Sequence, residues 1–323
     1  MKKISIGILG ASKIAFKRFL PSLAKSKSFK FAGIASRNVE QCMPFIELFG
    51  GKCYPSYDAL LADSEIDCVY LPLPPALHAF WGEKALKNGK HIFMEKPFST
   101  SLLETKRLLE CANENHLAVH ENYMFIYHDQ FNKIWEIISS QELGNLRMIR
   151  TAFTFPFRGN ADFRYNPKLG GGALYDCGGY PILLASELLG ETAHLSWVGL
   201  HYDLRYGVDT AGSVVMQNKK ELTAHIFFGM DDTYRCELEV WGSTASLTAK
   251  RIFTAPPDSS ITLQLCKGNE IKDIKIPPDD QFLNSIETFA TLIRNPDLRE
   301  ERCSKIIRQS ALIDRIYYRN LEQ

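Results

Sequence analysis

The amino-acid sequence predicts an α/β protein of two domains, in which a parallel sheet with crossover helices precedes a domain that contains a large, mostly antiparallel open sheet. Three observations support this prediction. The chain has 323 residues, more than one hydrophobic core usually organises. Its first third alternates short apolar runs with helical patterns, and the part that follows alternates apolar and polar residues over successive short segments.

Short apolar runs in the first part of the chain are predicted strands, and helical patterns connect them. The predicted strands are ISIGIL, FKFAGIAS, CVYLPLP, HIFMEK and LAVHEN. The predicted helices are IAFKRFLPSLAKS, VEQCMPFIELFG, LHAFWGEKALKNG and LLETKRLLECANENH. Strands that alternate with helices indicate βαβ units, whose strands lie parallel in one sheet. Because the pattern changes near residue 122, we predict a first domain over residues 1–122 and a second over residues 123–323.

Segments of alternating polarity follow from about residue 145 to 276 and are joined mostly by turns that contain Gly, Asn or Asp. They read RMIRTAFTF, HLSWVGLHY, GSVVMQ, ELTAHIFFG, RCELEVWG and ITLQLC. This pattern predicts an antiparallel sheet, interrupted by a helix after Gly172 and followed by helical spacing from 279 to 321. Aromatic residues at alternate positions of TAHIFFG and CELEVWG would face solvent in a monomer, so we expect a homodimer or homotetramer paired through this sheet.

Composition excludes several function classes. With 38 Lys and Arg against 37 Asp and Glu, the net charge of +1 gives no sequence-wide attraction to nucleic acid or to an anionic membrane. The eight cysteines include no CxxC pair, and His120, Glu121 and His128 lack a regular ligand spacing, so no metal is expected. Scattered cysteines and the lack of a long apolar segment favour a cytoplasmic protein.

The first predicted strand ends in a glycine turn of the kind that binds the pyrophosphate of a dinucleotide. The turn reads GASKIA at residues 10–15, and a helix follows it. Gly10 supplies the tight turn, whereas Ser12 and Ala15 occupy the other two glycine positions of the fingerprint. An incomplete fingerprint also fits a chance turn, but this one closes the first strand of a βαβ chain. We therefore predict a Rossmann dinucleotide-binding domain. Its predicted cofactor contacts at this turn are Gly10, Ser12, Lys13 and Ile14.

The end of the second predicted strand favours NADP(H) over NAD(H). Ser36 and Arg37 stand where an NAD enzyme usually carries an acid for the ribose 2′-hydroxyl. A hydroxyl beside a guanidinium suits a 2′-phosphate, because Arg donates in a planar fork; a solvated loop arginine is the alternative. Leu73 and His78 follow the fourth strand and are further predicted cofactor residues, although a capping or solvated histidine fits the same position.

Three stretches together resemble the Gfo/Idh/MocA family of glucose-fructose oxidoreductases and inositol dehydrogenases. They are LPLPPALHAFWGEKALKNGKHIFMEKPFS, FRYNP and GGGALYDCGGY, in the order in which the family has them. The family's EKP motif is Glu95-Lys96-Pro97 here, so the resemblance implies that Glu95 and Lys96 lie at the cofactor and that Lys96 is catalytic. It also implies an active site in the cleft between a Rossmann domain and an α/β domain, and a Lys-Pro bond that is commonly cis.

The resemblance further implies a proton-transfer role for Tyr180. Most family members carry His at this position, and a subset carries Tyr, including glucose-fructose oxidoreductase, dimeric dihydrodiol dehydrogenases and 3-ketoreductases of nucleotide-activated deoxysugars. Asp176 lies four residues earlier, on the same face of the predicted helix, where it would orient the substrate or the lysine. The neighbouring glycines are expected to admit a flat ligand to this face. From the residues alone, Tyr180 also fits a core aromatic and Lys96 a surface lysine.

Three further residues, Arg158, Tyr123 and Arg164, complete the predicted site. Substrate binding is predicted for Arg158, Tyr123, Asp176 and Tyr180, and Arg164 is predicted at the cofactor or at a substrate phosphate. For the two arginines, an exposed salt-bridged loop is the alternative.

The predicted function is hydride transfer between the nicotinamide and a sugar carbonyl carbon. We favour reduction of a keto group on a nucleotide-activated hexose or deoxyhexose, so that the partner is a sugar or nucleotide sugar. A free-sugar or trans-dihydrodiol dehydrogenase is the alternative within the family. A cofactor-binding sensor without turnover is the alternative from another class, and the presence of both Lys96 and Tyr180 argues against it.

Overall fold

The computed structural model describes residues 2 to 321, which form two compact units. The first unit contains the residues up to 123 together with 282 to 310, and the second contains 124 to 281 together with the residues from 311 onward. Sequence analysis assigned 282 to 310 to the second domain. They join the first unit because Phe289 is fully buried there, with its ring 5.9 Å from Phe29 and 5.5 Å from Phe93.

The strands form two sheets. In chain order the strands of the first unit are β1 Ile4–Leu9, β2 Phe29–Ala35, β3 Lys52–Tyr54, β4 Cys68–Leu71, β5 His91–Met94 and β6 Val119–Glu121. Those of the second unit are β7 Leu146–Thr154, β8 His194–Asp203, β9 Val208–Gln217, β10 Thr223–Gly229, β11 Arg235–Gly242, β12 Ser246–Lys250, β13 Ile261–Lys267 and β14 Glu270–Ile276.

The α-helices connect and cover these strands. In chain order they are α1 Leu20–Lys25, α2 Met43–Phe49, α3 Tyr57–Ala62, α4 His78–Lys87, α5 Leu102–Glu114, α6 Asp129–Ser139, α7 Gly179–Leu189, α8 Gln281–Arg294 and α9 Arg299–Leu321. Among the described residues, no helix is both long and apolar enough to cross a membrane.

The sheet of the first unit is parallel throughout, with strand order β3-β2-β1-β4-β5-β6. The order reverses between β1 and β4, so the connections that follow these two strands diverge and leave a crevice at their carboxyl ends. This is the predicted Rossmann sheet. The strand β3 was not predicted, because three residues with one buried side chain give no readable alternation.

The sheet of the second unit has the order β14-β13-β12-β11-β7-β10-β9-β8. Only β7 and β10 pair in parallel, and the other described neighbours are antiparallel. Helix α7 packs against β7, β9 and β10, so alternate residues of these strands are buried on that face. The predicted α/β class with a large, mostly antiparallel second sheet is therefore confirmed.

Candidate active site

The glycine turn after β1 requires Gly10 for two reasons. Gly10 has a φ of +112°, a backbone conformation that side chains other than hydrogen disfavour. In addition, a Cβ atom there would lie 2.9 Å from the Leu73 side chain. Ser12 Oγ accepts the N–H of Ala15 at 3.2 Å and so fixes the end of the turn. The turn therefore presents its backbone beside Leu73, at the carboxyl ends of β1 and β4.

The groups predicted to bind a 2′-phosphate lie next to this turn. Ser36 is buried and donates its hydroxyl to Gln41 Oε1 at 3.2 Å, whereas Arg37 is exposed. No carboxylate pairs with Arg37 among residues 2 to 321. Burial raises the pKa of Tyr57, and the charge of Arg37 opposes that rise. A Cβ atom at Gly10 would in turn lie 3.6 Å from the Tyr57 hydroxyl. An unpaired guanidinium and a hydroxyl beside the glycine turn fit NADP.

His78 lies after β4, as predicted, and its two ring nitrogens contact backbone carbonyls. It is fully buried at the start of α4, with Nδ1 2.8 Å from the Pro97 carbonyl oxygen and Nε2 2.8 Å from the Leu73 carbonyl oxygen. Burial lowers its pKa to about 4, although the contacts with the Pro97 and Leu73 carbonyls oppose this shift, and a neutral ring can donate to only one of the two. Because both ring nitrogens face backbone carbonyls, His78 has no polar atom left for the cofactor. It links the Leu73 backbone to the segment that carries Lys96.

The carboxylate of Glu95 also forms hydrogen bonds with other residues of the first unit. Its Oε1 accepts the Tyr70 hydroxyl at 2.7 Å and the Asn122 side-chain amide at 2.8 Å. Asn122 Oδ1 accepts the Ser285 hydroxyl at 2.9 Å, and Ser285 Oγ lies 2.8 Å from His120 Nε2. Burial raises the pKa of Glu95, and the hydrogen bonds from Tyr70 and Asn122 oppose that rise. These contacts of Oε1 anchor Glu95 to the sheet and to α8, and the cofactor contact of Glu95 stays a prediction.

The residues that follow Lys96 also fix the position of its backbone. The Lys96-Pro97 bond is cis, as the resemblance implied. The Phe98 N–H donates to Glu121 Oε1 at 2.7 Å, and burial raises the pKa of Glu121 to about 8. Lys96 itself is partly exposed. Its place is therefore fixed within the first unit, by the Glu95 carboxylate before it and by the Pro97 carbonyl and Phe98 amide after it.

The glycines at the start of the helix in the second unit make room for protein groups. Gly172 has a φ of +120°, and a Cβ atom there would collide with the Asp209 carboxylate. A Cβ atom at Gly171 would lie 2.5 Å from the Arg164 carbonyl oxygen, and one at Gly178 would lie 3.1 Å from the Phe228 ring. The expectation that these glycines admit a flat ligand was thus wrong for these three positions, because backbone, carboxylate and ring already fill the space.

The Asp209 carboxylate accepts hydrogen bonds from the backbone N–H groups at the start of this helix, which were expected to face a ligand. Its Oδ2 accepts the Leu174 N–H at 2.7 Å, and Ala173 donates to the same carboxylate. Burial raises the pKa of Asp209 to about 6, although these hydrogen bonds oppose the rise. At pH 7 it is therefore an anion at the positive end of the helix. The chain first forms a π-helical turn, Leu174–Gly178, because Pro181 has no N–H to donate to Cys177, and it becomes α-helical only at Gly179.

Arg164 and Asp176 form an ion pair with each other. Arg164 Nε lies 2.6 Å from Asp176 Oδ2, and its Nη1 lies 2.9 Å from Asp162 Oδ1. The two carboxylates thus neutralise the charge of the Arg164 guanidinium, which therefore attracts a cofactor or substrate phosphate only weakly. These pairs fit the salt-bridged alternative for Arg164, whose contact with a phosphate stays a prediction, and they give Asp176 a protein partner in addition to any substrate. Arg158 differs, since it is exposed, stacks 4.3 Å from the Phe155 ring centre, and has no acidic partner in the described chain.

Tyr180 packs within an aromatic cluster of the second unit. Its ring is 5.2 Å from Phe153, 5.7 Å from Phe253 and 5.9 Å from Phe125, and only 7% of its surface is exposed. The hydroxyl lies 3.8 Å from Met124 Sδ. The core-aromatic interpretation therefore describes the ring correctly, and a catalytic role remains a prediction for the hydroxyl.

Two further residues considered in the sequence analysis, one as a substrate contact and one as a metal ligand, are buried. Tyr123, predicted to bind substrate, is 2% exposed, and its hydroxyl lies 3.5 Å from Gln309 Nε2. His128 caps α6 by accepting the Gln130 N–H at 3.0 Å. Within residues 2 to 321, no three His, Cys, Asp or Glu side chains are grouped so that they could hold a metal ion.

Sequence reasoning missed Asp209 and gave Glu121 no function. A lone acid in the apolar strand VDTAGSVVMQ was the available signal for Asp209. Glu121 ends a buried parallel strand, where an acid needs a specific partner. Nothing in the local sequence indicates Ser285, because its partners come from residues that are distant along the chain.

A parallel nucleotide-binding sheet with a glycine turn, joined to an α/β unit with a large open sheet, defines a two-domain dinucleotide-dependent oxidoreductase. Residues 4–123 match the Gfo/Idh/MocA oxidoreductase family, NAD-binding Rossmann fold, and residues 131–248 match the C-terminal domain of the same family. The chain belongs to the Gfo/Idh/MocA family of oxidoreductases, which confirms the resemblance.

Similar proteins of known activity cover nearly the whole chain. A dTDP-3,4-didehydro-2,6-dideoxy-α-D-glucose 3-reductase of Actinomadura kijaniata is 34% identical over 97% of this chain and 94% of its own. The enzyme of the same name from Streptomyces violaceoruber is 33% identical over 98% and 95%. The crystal structure of KijD10, a 3-ketoreductase from Actinomadura kijaniata in complex with NADP and TDP-benzene, has a TM-score of 0.95 at 33% identity and covers 98% of each chain. Other structures of KijD10 carry a tyrosine-to-phenylalanine, a lysine-to-alanine or a lysine-to-glutamate substitution.

Proposed function

We propose that the protein uses NADPH to reduce the C3 keto group of a nucleotide-linked deoxyhexose. The observation that carries this proposal is the full-length similarity to dTDP-sugar 3-reductases. In KijD10 the substituted lysine and tyrosine have the same separation along the chain as Lys96 and Tyr180 have here. This equal separation supports the assignment of Lys96 and Tyr180 to the reaction.

The residues after β1 and β2 support NADP(H) as the cofactor. Gly10 and Leu73 would hold the pyrophosphate turn, and Ser36 and Arg37 would bind the 2′-phosphate. When bound, NADPH supplies the hydride for the reduction. No acid stands where an NAD enzyme binds the ribose hydroxyls, so the charge of Arg37 favours the phosphorylated cofactor.

The proton step is assigned to Tyr180 and Lys96. Reduction of a ketone leaves an oxygen that must take up a proton, and the Tyr180 hydroxyl is the proposed donor. The ammonium of Lys96 stabilises the negative charge that develops on this oxygen. Asp176, through its ion pair with Arg164, would keep the turn before Tyr180 in place. We assign Asp176 a positioning role and leave any direct contact with the substrate hydroxyl as a prediction.

The proposal is tested with a dTDP-linked 3-ketosugar and NADPH, followed by the loss of nicotinamide absorbance. We expect turnover with this substrate, and at least about 10-fold lower kcat/KM when NADH replaces NADPH or when a free ketosugar replaces the nucleotide sugar. Higher efficiency with free sugars would favour the free-sugar dehydrogenase. No turnover with any ketosugar, despite NADPH binding, would favour the sensor.

Arg37→Ala tests the cofactor assignment separately. This variant should lose affinity for NADPH by about 10-fold or more while its affinity for NADH stays close to that of the unaltered protein, because only NADPH carries the 2′-phosphate. Arg107→Ala is the control, since this exposed arginine lies on α5 and pairs with Glu83. Equal losses for both cofactors would remove Arg37 from the 2′-phosphate site.

A further inference from the structure

An exposed aromatic group in the second unit lies between the segment after β7 and the turn that joins β8 to β9. The Phe157 ring is 5.0 Å from Tyr165 and 6.4 Å from Tyr206, and the rings of Tyr165 and Tyr206 are 4.8 Å apart. Tyr165 is buried and donates its hydroxyl to the Met230 carbonyl at 2.7 Å, so it anchors the group. Phe157 is 43% exposed, which leaves much of its ring without a protein contact.

A hydrogen bond joins the two segments that carry these rings. The Tyr206 hydroxyl donates to Asn160 Oδ1 at 2.7 Å. The segment is therefore held on both sides of Arg158, by the Phe157 ring contacts before it and by Asn160 after it. A surface that presents an aromatic ring and a cation in fixed positions suits a ligand that has both a flat ring and negative charge.

Arg158 supplies the positive charge beside these aromatic rings that no carboxylate of the described residues neutralises. Arg164 is paired with Asp162 and Asp176, and Arg205 is paired with Asp203. Arg158 follows Phe157 directly and has no carboxylate partner within the described residues. Its guanidinium lies over the Phe155 ring, a contact that orients the group and leaves its N–H donors without an anion.

We propose that Phe157, Arg158 and Tyr206 form the subsite for the nucleoside diphosphate part of the substrate, an inference that rests on the proposed function. The base stacks on the Phe157 ring next to Tyr206, and Arg158 binds the diphosphate. Stacking of a base on an aromatic side chain is worth about 1–3 kcal/mol, and Arg binds phosphate oxygens through paired N–H donors. A free sugar has neither the flat ring nor the charge, so this subsite would make the enzyme specific for nucleotide sugars.

The test measures binding of thymidine diphosphate by titration calorimetry, with NADP⁺ present at saturation. Phe157→Ala and Arg158→Ala should each weaken binding by about 10-fold or more, whereas Phe157→Trp, which keeps an aromatic face, should bind like the unaltered protein. Phe80→Ala and Arg147→Ala are matched controls, because they remove an exposed aromatic ring and an exposed arginine elsewhere and should leave binding unchanged. Thermal unfolding of each variant checks that it is folded.

Two partial ligands separate the two contacts. Inorganic pyrophosphate should compete with thymidine diphosphate on the unaltered protein but lose this effect in Arg158→Ala. Thymidine should lose affinity in Phe157→Ala and keep it in Arg158→Ala. Normal binding of thymidine diphosphate by both folded alanine variants, or no binding by the unaltered protein, would overturn the subsite.

Turnover assays distinguish failure of this inference from failure of the proposed function. Reduction of a dTDP-linked ketosugar by the unaltered protein, with unchanged KM in both alanine variants, would overturn the subsite and leave the proposed function standing. Binding of thymidine diphosphate that depends on both side chains, without reduction of any nucleotide-linked ketosugar, would support the subsite and overturn the proposed function.

Discussion

At the scale of single residues, Lys96 and Tyr180, which we assign to the reaction, are positioned by residues that take no part in it. The segment of Lys96 is held by the Glu95 carboxylate, by the ring of His78 at the Pro97 carbonyl and by Glu121 at the Phe98 amide. Tyr180 is positioned by rings and a thioether. A phenol among apolar groups keeps its reactive hydroxyl in one place at low conformational cost, which is what proton transfer at a fixed distance requires.

Removal of the phenol hydroxyl should therefore affect turnover and not cofactor binding. We expect Tyr180→Phe to lower kcat by about 10²- to 10⁴-fold, the usual loss for a general acid, with an unchanged Kd for NADPH. Lys96→Ala should lower kcat by a similar factor, and the double variant should be little worse than either, because groups that act as one unit are not additive. Stopped-flow measurement of nicotinamide oxidation gives kcat, and fluorescence titration gives the Kd.

Tyr175→Phe and Lys87→Ala are the controls for these variants. Tyr175 lies one turn before Tyr180 and stacks on Tyr317, and Lys87 pairs with Glu83 at the surface. Both variants should keep kcat within about threefold of the unaltered value. A near-normal kcat in Tyr180→Phe would return Tyr180 to a purely structural role in its aromatic cluster.

Glu121 allows a prediction about pH. Burial raises its pKa from 4.5 to about 8, so the folded protein holds this proton more tightly than the unfolded chain does. Its contribution to stability is complete below about pH 4.5 and is lost as the pH rises toward 8. Glu121→Gln removes the titration and keeps a side-chain oxygen for the Phe98 N–H. Between about pH 5 and pH 8.5, the free energy of unfolding should shift in favour of the variant by up to about 1.4 kcal/mol per pH unit.

Urea unfolding at these two pH values measures that shift. Glu114→Gln, an exposed glutamate at the end of α5, is the control and should show no such change. His78 has a depressed pKa of about 4, so its contribution is lost in the opposite direction, as the pH falls from about 6.5 to about 4. Identical pH dependence for Glu121→Gln and the unaltered protein would mean that Glu121 is ionised in the folded state at neutral pH.

At the scale of elements, predictions succeeded where periodicity was strong and failed where tertiary contacts decided. The five predicted parallel strands are present because each is a buried apolar run, and the observed helices over residues 78–87 and 102–114 follow their apolar spacing. Strand β14 was missed, since EIKDIKI is an edge strand whose exposed charges resemble a loop. The α8 segment was assigned to the wrong unit because no local pattern shows which core a helix joins.

The features of the candidate site also separate into those that local sequence predicts and those that tertiary contacts decide. The glycine turn after β1 and the position of Ser36 and Arg37 after β2 were predictable, because each depends on residues that are adjacent in sequence. The purpose of the glycines at 171, 172 and 178 was not, since the Asp209 carboxylate and the Phe228 ring reach them from other strands. The ion pair of Arg164 with Asp176 was also hidden, because the two residues are twelve positions apart and no regular spacing relates them, whereas the pair with Asp162 corresponds to the salt-bridged alternative.

Gly172, which precedes the π-helical turn and α7, allows a prediction about stability, with Gly190 as the control. Gly172→Ala must adopt a φ of +120° and displace the Asp209 carboxylate from its two amides. We expect a loss of about 3 kcal/mol or more, from backbone strain of 1–3 kcal/mol and a comparable cost for the disturbed buried groups. Gly190→Ala, at the other end of α7, has a φ of +80° but open space around its Cβ position, so it should lose only the backbone strain of about 1–3 kcal/mol. Urea unfolding of both variants makes the comparison, and equal losses would show that Asp209 is not the reason for Gly172.

At the scale of the molecule, the sheet of the second unit has one face packed by α7 and another that carries large side chains to the surface. Trp197, Phe227 and Trp241 are 49%, 40% and 41% exposed on β8, β10 and β11. A groove of about 430 Å³ on this sheet is lined by charged residues of both signs and by the Phe227 ring. Because cations and anions are interspersed, as in the pairs Arg150–Glu239 and Arg235–Glu237, the face can complement a second copy of itself across a two-fold axis.

We therefore expect the unaltered protein to sediment as a dimer or a larger oligomer at micromolar concentration, paired through this face. The double variant Phe227→Lys, Trp241→Lys should sediment as a monomer, because it replaces apolar contact area with two cations that would be desolvated in the interface. Phe80→Lys introduces one cation in place of an exposed ring of the first unit and should leave the oligomer intact. A monomeric unaltered protein would contradict the prediction outright. An oligomer that survives the double variant would place the interface on another surface, since two buried ammonium groups at its centre would cost more than such a contact supplies.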